Sequence, residues 1–213
     1  MNKSVKRTSG ILAAIVAAGA LSAGTGSAVA ASTTVSPAGN TISLAASPVK
    51  TGLYQAMGVE SCTISGGAAQ IPAAPANTNP TGPVTINLTT RPTFSNCSVY
   101  GGAAPITVTT SGTWSLKFQN GATKVATLTI PANGLRANFS SGAGCSAYNY
   151  SAIVLNGTWT NGSSTPFTAS TLAGGFSYQT ANCSGTGWTT TFAAPSWTTS
   201  NLTNPTAPIL IGS

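Results

Sequence analysis

The amino-acid sequence predicts an all-β protein, an antiparallel β-sandwich or barrel, on three observations. Short runs alternate apolar and polar residues with a period of two, Gly, Pro and Asn-Gly steps separate the runs, and no segment beyond residue 30 carries a helical period. Side chains on a strand point to opposite faces in turn, so each run has one face to bury and one to leave wet.

The first run is Val84, Ile86 and Leu88, each separated by a Thr or Asn. Ile106 and Val108 follow, then Trp114, Leu116 and Phe118, then Leu128 and Ile130. Leu135, Ala137 and Phe139 alternate in the same way, as do Phe176 and Tyr178. The turn signals between them are Gly101-Gly102, Asn120-Gly121, Asn133-Gly134, Asn156-Gly157 and Asn161-Gly162. Asn-Gly between alternating runs is a strong hairpin signal, because a type I′ turn needs two positive φ angles. The segment 66–83, rich in Ala, Pro and Asn, reads as an exposed loop, and Ile209-Leu210-Ile211 as a final edge strand or a docking peptide.

Residues 1–30 read as a signal peptide rather than as part of the fold. Lys3, Lys6 and Arg7 precede the apolar stretch from Ile11 to Leu21, and Ala28-Val29-Ala30 offers the small-x-small pattern of a cleavage site. Spanning a bilayer needs about 20 apolar residues, more than this run supplies. The first cysteine is Cys62, so a lipid-modified N-terminus is not expected, and no later apolar run is long enough for a transmembrane segment. The expected exported chain is 31–213.

The charge pattern then excludes several classes of function. The chain has 8 Lys plus Arg, 1 Asp plus Glu and no His. Beyond residue 30 the cations are Lys50, Arg91, Lys117, Lys124 and Arg136, and the acid is Glu60. They are scattered, whereas nucleic-acid binders cluster their cations to displace counterions from several phosphates at once; no nucleic-acid partner is expected. A surface of Thr, Ser, Asn, Gln and Gly also lacks the repulsion that keeps proteins apart, which suits self-association.

Four cysteines in an exported chain read as two disulfides, with three possible connectivities. Cys62–Cys97 and Cys145–Cys183 are favoured because each pair brackets one local β segment. Rare residues also recur at near-constant offsets: Asn96-Cys97-Ser98 with Asn182-Cys183-Ser184, Cys62 with Cys145, and Trp114 with Trp197. These offsets suggest two related β units, about 40–124 and 125–203, and chance in a Thr/Gly/Ser-rich chain is the alternative.

Chemistry is excluded by what is missing. General acid–base catalysis needs a group that titrates near working pH, and after residue 30 there is no His, no Asp and a single Glu. Paired-carboxylate hydrolysis, Ser-His-Asp and Cys-His arrangements, and metal sites built from His, close Cys pairs or several carboxylates all lack their parts. No catalytic residue, cofactor or metal is therefore expected. Ser47-Pro48-Val49-Lys50 and Lys50-Thr51-Gly52 match two motifs of penicillin-binding enzymes. There the motifs lie far apart on a helix and a strand, and here they share one lysine, so chance is preferred.

The aromatic residues remain. Trp114, Trp159, Trp188 and Trp197, with Tyr148, Tyr150 and Tyr178, either fill a core or form a stacking platform for sugars. Trp114 alternates with Leu116 and Phe118, which looks like core. Tyr148 and Tyr150, in a Gly/Ser/Asn-rich context, together with Trp159, are the candidate glycan-binding residues.

The Ala-rich leader, two Cys pairs at similar spacing, Leu128-Thr129-Ile130-Pro131, and the Ser-Gly-Thr-Trp stretch ending at Trp114 give a resemblance. The chain resembles secreted, four-cysteine, β-rich proteins of actinobacteria, a group with no established activity. That resemblance implies location and fold only. The expectation is a non-catalytic secreted or cell-surface β-protein, structural or adhesive. A carbohydrate-binding module that holds cell-wall or extracellular polysaccharide is the first alternative, and a self-assembling or pore-forming β-protein the second.

Overall fold

The computed structural model describes residues 31–54, 58–99, 104–139, 146–149, 151–162, 164–169, 172–173, 178–181, 191–193 and 196–213. The leader, Cys145, Cys183, Tyr150, Phe176, Trp188 and Gly101-Gly102 lie outside them. The described residues contain no helix and run through 18 strands. They begin with β1 (Thr33–Ser36), β2 (Thr41–Tyr54), β3 (Gly58–Gln70), β4 (Thr78–Asn79), β5 (Val84–Thr90) and β6 (Thr93–Val99). Next come β7 (Ala104–Thr110), β8 (Ser115–Gln119), β9 (Val125–Ile130), β10 (Leu135–Phe139), β11 (Ser146–Asn149) and β12 (Ile153–Trp159). The last are β13 (Ser164–Ala169), β14 (Leu172–Ala173), β15 (Tyr178–Ala181), β16 (Thr191–Ala193), β17 (Ser196–Ser200) and β18 (Leu210–Gly212).

Of the predicted sandwich or barrel, the strand pairing gives a barrel. β2, β3, β5, β8, β9, β12, β13 and β17 each pair antiparallel with the next, and β17 pairs back onto β2. The eight strands enter this circuit in chain order, four from segment 40–124 and four from 125–203. An eight-stranded barrel is just wide enough inside for side chains to fill it. The alternation supplies them: β5 buries Val84, Ile86 and Leu88 and exposes Thr85, Asn87 and Thr89. Ile42, Leu44, Leu116, Phe118, Leu128, Ile130, Ile153 and Leu155 join the same buried cluster. Trp114 and Trp197 are both 0% exposed. Burying each such side chain contributes roughly 1.5–3 kcal/mol relative to leaving it in water.

The remaining strands attach to the two ends of the barrel. At one end, β18, β1 and β4 form a small antiparallel sheet whose Val35 and Ile211 complete the core. The backbone N–H of Asn120, in the β8–β9 turn, donates to Thr33 Oγ1 at 3.1 Å. The Ile211 N–H donates to Oδ1 of Asn161, beyond β12, at 2.9 Å. The C-terminal apolar stretch is thus an edge strand. At the other end, the connections between β5 and β8, β9 and β12, and β13 and β17 each carry extra strands. These join the outer halves of β2 and β3 in a second sheet of order β14-β16-β2-β3-β6-β7-β10-β11-β15.

The Cys62–Cys97 disulfide forms between β3 and β6, with a Cα–Cα distance of 4.2 Å. It lies where β3 passes from the barrel to the second sheet, beside a register shift at which Asn96 adopts a φ of 52°. Three turn assignments need correcting. Asn156-Gly157 lies inside β12, because burial of Ile153, Leu155 and Trp159 on one face outweighs the local turn preference. Asn133-Gly134 joins β9 to β10, strands of different sheets that do not pair, so it closes no hairpin. Segment 66–83 is only partly loop: its first residues extend β3, Ile71 is 0% exposed, and Asn77 is buried with its Nδ2 donating to the Val35 carbonyl at 3.0 Å.

Candidate functional site

Among the described residues, a candidate ligand site is an open groove of about 590 Å³ on the second sheet, lined by Thr109, Ser111, Asn133, Arg136 and Tyr148. Its floor is a row across three strands. On β10, Arg136 pairs with Thr109 of β7 on one side and with Tyr148 of β11 on the other. Directly opposed residues in an antiparallel pair carry their Cβ atoms about 4.5–5.5 Å apart, so the three side chains are immediate neighbours. The alternation of Leu135 and Ala137, both buried, is what turns Arg136 to the open face.

The end wall is the turn 131–134, where the Gly134 N–H donates to the Pro131 carbonyl at 2.9 Å. Asn133 sits there with a φ of 58°, a left-handed conformation that Asn tolerates better than most residues. A Cβ on Gly134 would fall 2.7 Å from both Ile130 Cγ2 and the Pro131 carbonyl oxygen, so glycine is required. Ser111 Oγ donates to the Asn133 carbonyl at 2.5 Å, and the Ser111 N–H to the Gly134 carbonyl at 3.0 Å. Beneath the wall, Asn149 is 0% exposed and fully engaged. Its Oδ1 accepts from the Leu135 N–H at 2.8 Å, and its Nδ2 donates to the carbonyls of Pro131 at 2.7 Å and Ser151 at 2.9 Å. Arg136 Nη2 donates to Oγ of Ser146 at 2.9 Å, which braces the guanidinium along the floor.

Asn149 therefore positions the groove without lining it. Asn149→Ala removes three hydrogen bonds, one buried and two part-buried, each worth about 1 kcal/mol net and more where a backbone group is left unpartnered. The expected loss is about 3 kcal/mol of unfolding free energy in a urea titration. A loss under about 1 kcal/mol would show that the turn holds itself.

The three residues proposed to bind glycan do not come together. Tyr148 is half-buried and lines the groove. Tyr150 lies outside the described residues. Trp159 is a correction: only 5% exposed, it packs edge-on against Phe118 with ring centroids 5.1 Å apart, and its face is not open to a sugar. Its register in β12 with the inward Ile153 and Leu155 sends it into the barrel. It also borders an open depression of about 480 Å³ that includes Lys124 and Asn161. Arg136, Thr109, Ser111 and Asn133 were not singled out from the sequence. The alternation around Arg136 marked its exposure, but its partners follow from a strand register that no local pattern encodes.

Fold and site together define an eight-stranded antiparallel β-barrel bearing a second sheet with a polar, aromatic-lined groove and, among the described residues, no His/Cys/Asp/Glu cluster able to hold a metal ion. No protein-family model matches the chain, and neither a curated protein nor a solved structure matches it.

Proposed function

We propose that this is a non-catalytic adhesive protein of the bacterial surface or extracellular space, which holds polysaccharide in the groove across β7, β10 and β11. The observation that carries the reading is the composition of that groove among the described residues: one phenol ring, one guanidinium, two aliphatic hydroxyls and one amide, set on three paired strands and the turns at their ends. Such a set offers a stacking face and hydrogen bonds. The Cys62–Cys97 disulfide supports an oxidising compartment, in keeping with the leader read from residues 1–30.

The pore-forming alternative fits less well. A membrane barrel turns apolar side chains outward and polar ones inward, with about 9–11 residues per strand. Here Thr85, Asn87 and Lys117 face out, Ile86, Leu116 and Phe118 face in, and β5, β8, β9 and β12 have 5 to 7 residues.

The test is retention of the oxidised protein on insoluble polysaccharides and purified cell walls. Retention on at least one polymer, released by its soluble fragments, is the expected result. Tyr148→Ala should weaken retention about tenfold, since a stacked aromatic contact and its buried area contribute on the order of 1–2 kcal/mol. Failure to bind any polymer would remove the adhesive reading.

A further inference from the structure

We propose that the groove selects acidic polysaccharide, with Arg136 reading the carboxylate of a uronic-acid unit and Tyr148 taking the face of the sugar ring. The proposal rests on the reading of the groove as a polysaccharide site and adds to it the class of polymer.

The charge balance comes first. Among the described residues Arg136 is the only charged one that lines the groove, and the chain beyond residue 30 has one acidic side chain, Glu60. Glu60 lies on β3, and β6 and β7 intervene between β3 and β10 in the sheet. At about 4.8 Å per strand that is roughly 14 Å between backbones. Among the described residues no carboxylate contacts Arg136; its one side-chain hydrogen bond goes to Ser146, a neutral residue 1% exposed. One N–H of a guanidinium with five is thereby used to fix the plane, and among the described residues no other side chain is hydrogen-bonded to the rest of the fork. A scattered cation on most proteins meets acids nearby. This one sits in a concave site that offers an anion no repulsion.

Geometry then selects among anions. The planar fork of arginine matches a planar carboxylate in two parallel hydrogen bonds, a match that lysine cannot make. Tyr148 is the directly opposed cross-strand partner of Arg136. A sugar ring laid on the tyrosine therefore places a ring substituent within reach of the guanidinium. Thr109 on the far side of Arg136, with Ser111 and Asn133 at the end wall, supplies hydrogen-bonding groups for hydroxyls of the next unit.

The experiment measures affinity by calorimetry for four soluble polymers: a polyuronate, the same polymer with its carboxyls reduced to neutral alcohols, a neutral xylan, and a sulfated dextran. The expected result is preference for the polyuronate over its reduced form by about tenfold or more, in line with a charge-assisted pair. Arg136→Gln should abolish that preference while leaving the weaker binding to neutral polymers in place. Arg136→Lys should restore only part of it. Tyr148→Ala should weaken polyuronate and neutral polymer together. Lys117→Gln, which removes a cation from the outside of the barrel, should change nothing. Equal affinity for the polyuronate and its reduced form would overturn the acidic selectivity and leave the groove as a neutral-glycan site. Polyuronate binding that survives Arg136→Gln, or sulfated dextran bound as tightly in that variant as in the wild type, would also overturn it, since general positive charge would then account for binding. Binding to none of the four polymers would sink the underlying polysaccharide reading as well, and so differs from a failure of selectivity alone.

Discussion

Trp114→Ala should lower the unfolding free energy by about 5 kcal/mol, a large part of the total for a domain of this size. The indole is 0% exposed inside the barrel, and its Nε1 donates to the Ser111 carbonyl at 3.1 Å. Truncation leaves a cavity where a close-packed interior relaxes only in part, and it strips that carbonyl of a donor. Trp197 is equally buried, but its Nε1 meets no acceptor among the described residues. The two tryptophans should therefore separate when the ring is kept aromatic but loses its N–H. Trp197→Phe gives up volume and removes an unpaired donor, and it should lose about 1 kcal/mol. Trp114→Phe gives up volume and a hydrogen bond, and it should lose about 2–3 kcal/mol. Urea titrations followed by far-UV circular dichroism measure all three. Coincident midpoints for the two Phe variants would show that the hydrogen bond to Ser111 contributes nothing.

The faces of the strands were legible in the sequence, and their partners were not. A period of two is local: Val84, Ile86 and Leu88 declare an inner face before any neighbour is known, and all three are buried. That β2 pairs with β17, some 150 residues later, depends on a register such as Ala46 with Trp197, for which the alternation alone gives no address. The offset between Trp114 and Trp197 did hold information of this longer range. Trp114 enters the fourth strand of the circuit and Trp197 lies in the eighth, on opposite walls of the same core. Asn-Gly steps were less reliable. At Asn156-Gly157 the burial of Leu155 and Trp159 on either side decides the conformation, and the chain runs straight through in β12.

The site shows the same division. Tyr148 was chosen for its polar surroundings, and it does line the groove; Trp159 was chosen for its ring, and the ring is core. The difference lies in their strands, since Trp159 follows the inward register of Ile153 and Leu155 whereas Tyr148 stands opposite an exposed arginine. Arg136 was passed over because the cations are far apart in sequence, and charge clustering was sought along the chain. What suggests the proposed role of Arg136 is the absence, among the described residues, of acids around it, together with one neighbour brought from 12 residues away by the pairing of β10 with β11. A buried amide completes the site. Asn149 had no feature in the sequence to distinguish it from the many other Asn residues, and only the carbonyls it meets in the folded chain reveal its role.

Removing the Cys62–Cys97 cross-link should lower the unfolding free energy by about 4 kcal/mol, the chain-entropy value for a loop of 35 residues. The double variant Cys62→Ala with Cys97→Ala is the proper test, because a single replacement leaves an unpaired thiol free to exchange. Both cysteines are at least nine-tenths buried, so the two alanines also give up a little packing. The location of the bond makes a second readout informative. The cross-link ties β3 to β6 just beyond the barrel, while the groove is built on β7, β10 and β11 further along the second sheet. A tether that acts on the unfolded chain should lower the urea midpoint and leave polysaccharide affinity at 25 °C unchanged. Loss of affinity in a variant that is still folded would mean that the bond sets the position of β6 and β7, and through them of the groove floor. An unchanged midpoint would mean that the segment between Cys62 and Cys97 is held by strand pairing alone, against the entropic account.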